Sequence, residues 1–115
     1  MRSRVTRTFS FEAAHKLDWH QGACRNLHGH TYRLEVSVEG PLDDNGIVVD
    51  FSDLAGIVRR EVIDPFDHSY LNDTFTNPTA ELIAHEIWSR LDAAGLTVSR
   101  LRLWETADSS VEIFP

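Results

Sequence analysis

One cysteine, Cys24, and one lysine, Lys16, stand in a chain of 115 residues. A single cysteine excludes an internal disulfide, and a reducing compartment fits. Ten arginines do not offset the scarcity of lysine: 18 acidic residues face 11 basic ones, a net charge of −7. An acidic chain without a basic tract is not expected to bind nucleic acid or a membrane surface. No apolar run is long enough to span a bilayer, and Met1-Arg2-Ser3-Arg4 does not open a signal peptide, so a cytoplasmic location is expected. Low-complexity stretches and linkers are also missing. Residues 1–115 therefore read as one domain, able to bury one modest core.

The most informative stretch runs from Cys24 to Tyr32 and holds the cysteine and two of the six histidines. His28 and His30 stand two apart, at the head of the alternating run Tyr32, Leu34, Val36, Val38. Residues two apart on a strand share a face, so two imidazoles can reach one ion. Gly29, on the opposite face, is expected to permit close backbone approach. A catalytic zinc usually takes three protein ligands and leaves one position open. His15, at the end of Phe9-Ser10-Phe11-Glu12-Ala13-Ala14-His15, is the nearest third candidate upstream, and a hairpin would bring it to the other two. Cys24 stays open between a fourth metal ligand, a reactive thiol beside an open site, and a small buried hydrophobe.

The rest of the chain reads as strand Arg4–Ala14, loop Leu17–Asn26, strand Thr31–Glu39, a turn over 40–46, and a short extension of the sheet at Ile47–Val49. Asp50 caps a helix with Leu54, Ile57, Val58 and Val62 as its apolar stripe, stopped by Pro65. A polar, aromatic loop covers 66–73. Asn77 caps a second helix with Pro78 at its first position; Ala80, Ile83, Ala84, Ile87 and Leu91 form its buried face and Gly95 ends it. Strands follow at Thr97–Thr106 and Ser110–Phe114. The order ββααββ is α+β, an antiparallel sheet with one face covered and two bare edges. Bare edges invite pairing, so a homo-oligomer joined edge to edge, with sites between subunits, is expected.

Three further features carry chemistry. Asp67-His68 in a loop allows a carboxylate to orient a proton-transferring imidazole. Glu105 continues the inward row Leu101, Leu103, where a carboxylate is costly unless paired, and it suits a ligand rich in N–H donors. Its alternative is a wet strand end. Thr106 and Thr79 are ambiguous, Thr79 also being placed to cap a helix. His20 and His85 are read as ordinary polar residues.

These motifs together resemble the 6-pyruvoyltetrahydropterin synthase superfamily, and more closely its bacterial branch, the 6-carboxytetrahydropterin synthases. Phe11-Glu12-Ala13-Ala14-His15, Cys24-x-x-x-His28-Gly29-His30-x-Tyr32, Val49-Asp50-Phe51, Asp67-His68-x-Tyr70-Leu71-Asn72, Asn77-Pro78-Thr79-x-Glu81 and Glu105-Thr106 match in order over nearly the whole chain. The resemblance implies Zn2+ on His15, His28 and His30. It implies Cys24 as a catalytic proton acceptor, completed by Asp67 and His68 of a neighbouring subunit. It implies Glu105, with Thr106 and Thr79, as the pterin-binding residues. The implied fold is the tunnelling fold, in which strands of several subunits close into a barrel and two rings stack, here as a homohexamer. Cys24, separated from His28 by three residues, resembles the carboxy branch; a folate-pathway branch has glutamate there. Ala80 departs from the serine or threonine usual after Thr79.

The implied reaction is that of a carbon–carbon lyase in the 7-deazaguanine (preQ0, queuosine) pathway. It converts 7,8-dihydroneopterin triphosphate to 6-carboxy-5,6,7,8-tetrahydropterin, with release of acetaldehyde and triphosphate. The alternatives are the pyruvoyl reaction, which keeps the side-chain carbons, and a non-catalytic zinc- or pterin-binding module with four protein ligands on its metal.

Overall fold

The computed structural model describes residues Met1–Pro115. Two long strands dominate it, β1 (Ser3–His15) and β2 (His28–Gly40), paired antiparallel in unbroken register from Ser3↔Gly40 to His15↔His28. β4 (Arg100–Thr106) joins the far side of β2, and β5 (Ser109–Ile113) closes that end. A two-residue strand, β3 (Ser69–Tyr70), lies parallel to β1 beside Ala13 and Ala14. The sheet thus has five strands in the order β3-β1-β2-β4-β5. β3 falls inside the segment expected to be a loop, and it makes the sheet mixed rather than purely antiparallel.

Alternation along the strands decides which face is buried. Phe9, Phe11, Ala13 and His15 of β1 point inward with Tyr32, Leu34, Val36 and Val38 of β2 and with Leu101 and Leu103 of β4. Helix α1 (Phe51–Val58) covers them with Leu54 and Val58, and helix α3 (Ala80–Ala93) with Ile83, Ala84, Ile87 and Leu91. The opposite face carries polar side chains, among them Thr6, Glu12, Thr31 and Arg33. There the Arg33 and Arg102 guanidiniums stand 4.8 and 4.6 Å from the Trp104 ring centre. Leu34 is fully buried in the middle of the covered face. Leu34→Ala is expected to cost about 3 kcal/mol, the usual penalty for a buried leucine cavity, measured by urea unfolding.

The helices and the segments flanking them follow their sequence signals with three exceptions. Asp50 caps α1, its side chain accepting the Ser52 N–H at 2.7 Å. Pro65 does not stop the helix that follows. The chain passes through a π-helical turn (Arg59–Ile63) into a last α turn, α2 (Asp64–Phe66). Pro65 has no N–H for the carbonyl four residues earlier; Arg90 donates to that carbonyl, Glu61 O, at 3.5 Å. Second, α3 begins at Ala80 with Thr79 as its cap, accepting the Leu82 N–H at 3.2 Å, so Asn77 and Pro78 lie before the helix. Third, Ile47–Val49 pairs with no strand, and β4 starts at Arg100 rather than Thr97. The end of α3 is as expected. Gly95 adopts φ +89, its N–H bonds Asp92 O, and the Leu96 N–H bonds Leu91 O, which closes the helix in a left-handed cap.

Candidate functional site

The hairpin register builds the centre of the site. His15 and His28 are direct cross-strand partners, and His30 sits two residues along on the same face. His15 is fully buried, while His28 and His30 are half-buried. One ring nitrogen from each can be chosen so that all three lie within 4.8 Å of one another. The sequence trio is therefore one cluster, and Cys24 is not a member of it. Gly29 is not demanded by space within the chain, since an added Cβ would meet Ala13 O at 3.6 Å, an ordinary contact.

The tautomers can be read from the partners. His15 Nδ1 lies 2.8 Å from the Pro78 carbonyl, and His28 Nδ1 lies 2.7 Å from the Asn26 carbonyl. A carbonyl only accepts, so each Nδ1 carries a proton and each Nε2 turns a lone pair inward. Yet His15 Nε2 and His28 Nε2 face each other at 3.0 Å. Two lone pairs at that distance repel unless a proton or a cation lies between them. His30 Nε2 is also buried and has no hydrogen bond. An orphaned imidazole nitrogen beside two converging ones fits a metal ion, and backbone carbonyls holding the outer nitrogens are the usual support for such ligands. These side chains can hold a metal.

Glu105 stands beside two members of the cluster. Its Oε1 stands 3.2 Å from His15 Nε2 and 3.5 Å from His30 Nε2. It is paired rather than wet, as its inward position on the row Leu101, Leu103 requires. When His15 carries its second proton, its Nε2–H donates to Glu105 and holds that carboxyl below its usual range, against the opposing effect of burial. Burial pulls the His15 pKa down, but Glu105 and the Pro78 carbonyl outweigh it and leave it raised. Burial dominates at His30, whose pKa is lowered. The phenol of Tyr32, 3.4 Å from His15 Nδ1, is pushed up by its burial. Register slips between Trp104 and Thr106, so Glu105 has no β5 partner and sits on a bulge. A polar cleft of about 250 Å³ opens beside it, lined by Ala80, Glu81, Glu105, Ser109, Ser110 and Val111.

The two threonines are engaged locally. Thr106 Oγ1 donates to Asp108 Oδ1 at 2.9 Å, and Thr79 spends an acceptor position on its helix cap. His20 Nδ1 accepts the Gly22 N–H at 2.8 Å, and His85 is exposed on α3; both are outside the cluster.

Asp67 and His68 form the expected pair, with Asp67 Oδ2 at 3.1 Å from His68 Nδ1. Sequence neighbours meet this way because the backbone turns over at His68, which has φ +58, a conformation costly outside glycine and characteristic of functional sites. Glu12 fastens the turn. Its N–H donates to Asp67 Oδ1 at 2.9 Å, and its carbonyl accepts the His68 N–H at 2.6 Å. The His68 ring remains 80% exposed, turned to the edge of the sheet and away from any partner in its own chain except Asp67. The Glu12 N–H holds the Asp67 carboxyl below its usual range. Such a group stabilises the fold above its unfolded pKa, about 3.9, and ceases to as pH falls through the lower folded value. Asp67→Ala should therefore lower stability at neutral pH, and its difference from wild type in urea unfolding should shrink in acid.

Cys24 lies half-buried in a short 3₁₀ turn (Ala23–Arg25) of the loop between β1 and β2. Its carbonyl accepts the Leu17 N–H at 2.8 Å, which ties the loop back on itself. Asn72 pins the start of that loop, accepting the Lys16 N–H at 2.9 Å and donating to Lys16 O at 3.0 Å. Asn72, Glu12, and the carbonyls of Pro78 and Asn26 were not identifiable as site supports from sequence. All four act through the backbone or on it, so the side-chain types at Glu12, Pro78 and Asn72, though inside the matching motifs, did not mark these roles.

Comparison with known proteins shows the family and the fold. The family described as 6-pyruvoyl tetrahydropterin synthase matches residues 4–115. The 6-carboxy-5,6,7,8-tetrahydropterin synthase of Haemophilus influenzae is 40% identical over 95% of this chain and 96% of its own. A putative enzyme of the same name from Archaeoglobus fulgidus is 43% identical over 90% and 89%. The dihydroneopterin monophosphate aldolase of Pyrococcus furiosus is 38% identical over 98% of both. The 6-pyruvoyl tetrahydropterin synthase of Caenorhabditis elegans has the same fold, with a TM-score of 0.88 at 24% identity over 100% of this chain and 96% of that one. With family, fold and the ordered site motifs in agreement, this chain is an enzyme of the 6-pyruvoyl tetrahydropterin synthase family, like the 6-carboxytetrahydropterin synthases it resembles.

Proposed function

We propose that the chain is a zinc-dependent carbon–carbon lyase. It takes 7,8-dihydroneopterin triphosphate and water to 6-carboxy-5,6,7,8-tetrahydropterin, acetaldehyde and triphosphate. The observation that carries this reading is the convergence of His15, His28 and His30 beside a carboxylate that walls a polar cleft. Zn2+ held by those three imidazoles would supply Lewis acidity at the hydroxyls of the substrate's side chain.

The chain's own groups do the rest. Glu105 offers two carboxylate oxygens to the paired N–H donors on the edge of a pterin ring. The Thr79 hydroxyl still has its proton to donate, and Thr106 Oγ1 can still accept; each is next in sequence to a residue that lines the cleft. Ala80 on the cleft wall gives no hydroxyl, so the ring has one polar contact fewer there. Cys24 as thiolate takes a proton from the side chain, and His68, oriented by Asp67, delivers or removes the next. The exposed His68 ring suits a site completed by a second subunit, its partner thiol being Cys24 of a neighbouring chain. That assembly is a homohexamer of two stacked rings, formed through the free edges of β1 and β5. No helix is long and apolar enough to cross a membrane. We place the enzyme in the cytoplasm, in 7-deazaguanine synthesis for tRNA modification or a related secondary metabolite.

Product analysis tests the reaction. Purified protein given 7,8-dihydroneopterin triphosphate should release acetaldehyde and 6-carboxytetrahydropterin in equal amounts. A pterin that keeps all three side-chain carbons would assign it to the pyruvoyl reaction. Turnover of the monophosphate in preference to the triphosphate would assign it to the aldolase activity.

A further inference from the structure

Three imidazoles leave a fourth corner around a tetrahedral ion, and a carboxylate stands against two of them. With ligand bonds of about 2.0–2.1 Å, neighbouring ligand atoms of a tetrahedral zinc site lie about 3.3–3.4 Å apart. Glu105 Oε1 is 3.2 Å from His15 Nε2 and 3.5 Å from His30 Nε2, while His15 Nε2 is 3.0 Å from His28 Nε2. Those spacings let the carboxylate share one ion with His15 and His30. Glu105 reaches them from the bulge at the end of β4, where it has no partner on β5. Its side chain can leave without breaking the ladder. Where it would go is open: Glu105 also walls the cleft shared with Ala80, Glu81, Ser109, Ser110 and Val111.

We infer that Glu105 is a displaceable fourth ligand: its carboxylate closes the metal's coordination sphere at rest and moves off when the N–H edge of a heterocycle enters the adjacent cleft. This rests on the metal-binding reading proposed above. One carboxylate cannot serve the ion and the ring at once, so ring recognition and the opening of a coordination position become a single event. A polyol without the ring has nothing to draw Glu105 away, and finds the position closed. Selectivity for the substrate's ring is thereby imposed on the reactivity of the metal.

Thiocyanate binding to the cobalt-substituted holoprotein, read from its visible absorption, reports the vacant position. Three proteins are compared: wild type, Glu105→Gln and Glu105→Asp. The aspartate keeps the charge but shortens the reach, which separates ligation from simple repulsion of the anion. Both variants should bind thiocyanate at least about tenfold more tightly than wild type, a difference of about 1.4 kcal/mol. Saturating the wild type with pterin, the ring without a side chain, should raise its thiocyanate affinity towards theirs. The inference is overturned if Glu105→Asp behaves as wild type, or if pterin leaves wild-type thiocyanate affinity unchanged. Cobalt bound equally by all three proteins, with equal thiocyanate affinity, sinks this inference alone. A wild-type chain that takes up no cobalt sinks the metal reading and this inference with it. Cobalt stoichiometry and circular dichroism of each variant show that it is folded.

Discussion

His15→Ala should empty the metal site and lower turnover by at least about 10³-fold, which corresponds to about 4 kcal/mol of lost charge stabilisation. Of the three imidazoles, His15 is the one with no exposure, and it touches every other part of the centre. Its Nε2 faces His28 and Glu105, and its Nδ1 is held by Pro78 with the Tyr32 hydroxyl alongside. Two remaining histidines make a weak chelate, so metal analysis after dialysis should find less than a tenth of the wild-type content, on the order of the loss that disrupting such a shell produces. Because alanine also leaves a cavity, His15→Gln is the companion variant: it fills most of the space but brings no imidazole nitrogen. Both should fold by circular dichroism and both should lack metal. Full metal content in His15→Gln would mean that another group holds the ion.

Cys24→Ala should do the opposite to the metal and the same to the rate. The thiol is no part of the histidine cluster, so metal content should stay at the wild-type level. Turnover should drop by about 10²–10⁴-fold, the usual yield of a positioned proton acceptor. Loss of metal together with activity would make Cys24 a ligand after all. The same variant tests whether sites are shared between chains. Cys24→Ala and His68→Ala, each inactive alone, should regain activity when their subunits are mixed and allowed to exchange, because some sites then receive an intact thiol from one chain and an intact imidazole from another. A site contained within one chain cannot be rescued by mixing.

How far the sequence revealed this protein depends on the range over which each signal acts. The metal cluster was legible because a strand has a period of two and a hairpin has a register: His28 and His30 share a face by arithmetic, and His15 follows once β1 and β2 pair. The inward position of Glu105 was legible from Leu101 and Leu103 for the same reason. The first helix cap, Asp50, is local chemistry and read correctly, as did Gly95. What failed was decided across the fold. β3 is two residues long and exists only because β1 offers it an edge. The helix runs on to Pro65 and beyond because a turn widens and Arg90, 29 residues away, serves the stranded Glu61 carbonyl. Thr79, expected among pterin contacts, also caps α3, a duty that Asn77 and Pro78 had seemed to perform by composition alone.

The pairing of β1 with β2 also constrains how this chain can change. His28, His30, Tyr32, Leu34, Val36 and Val38 form one row, the first two converging with His15 and the others filling the interior. Inserting or deleting a single residue within that row would turn everything beyond it to the other face, emptying the catalytic end or exposing the greasy one. Lengthening must therefore be absorbed between Lys16 and Leu27, where the backbone loops out of the ladder and carries its thiol. The imidazoles of this protein are anchored where drift in length is forbidden, and its one sulfur sits where drift is allowed.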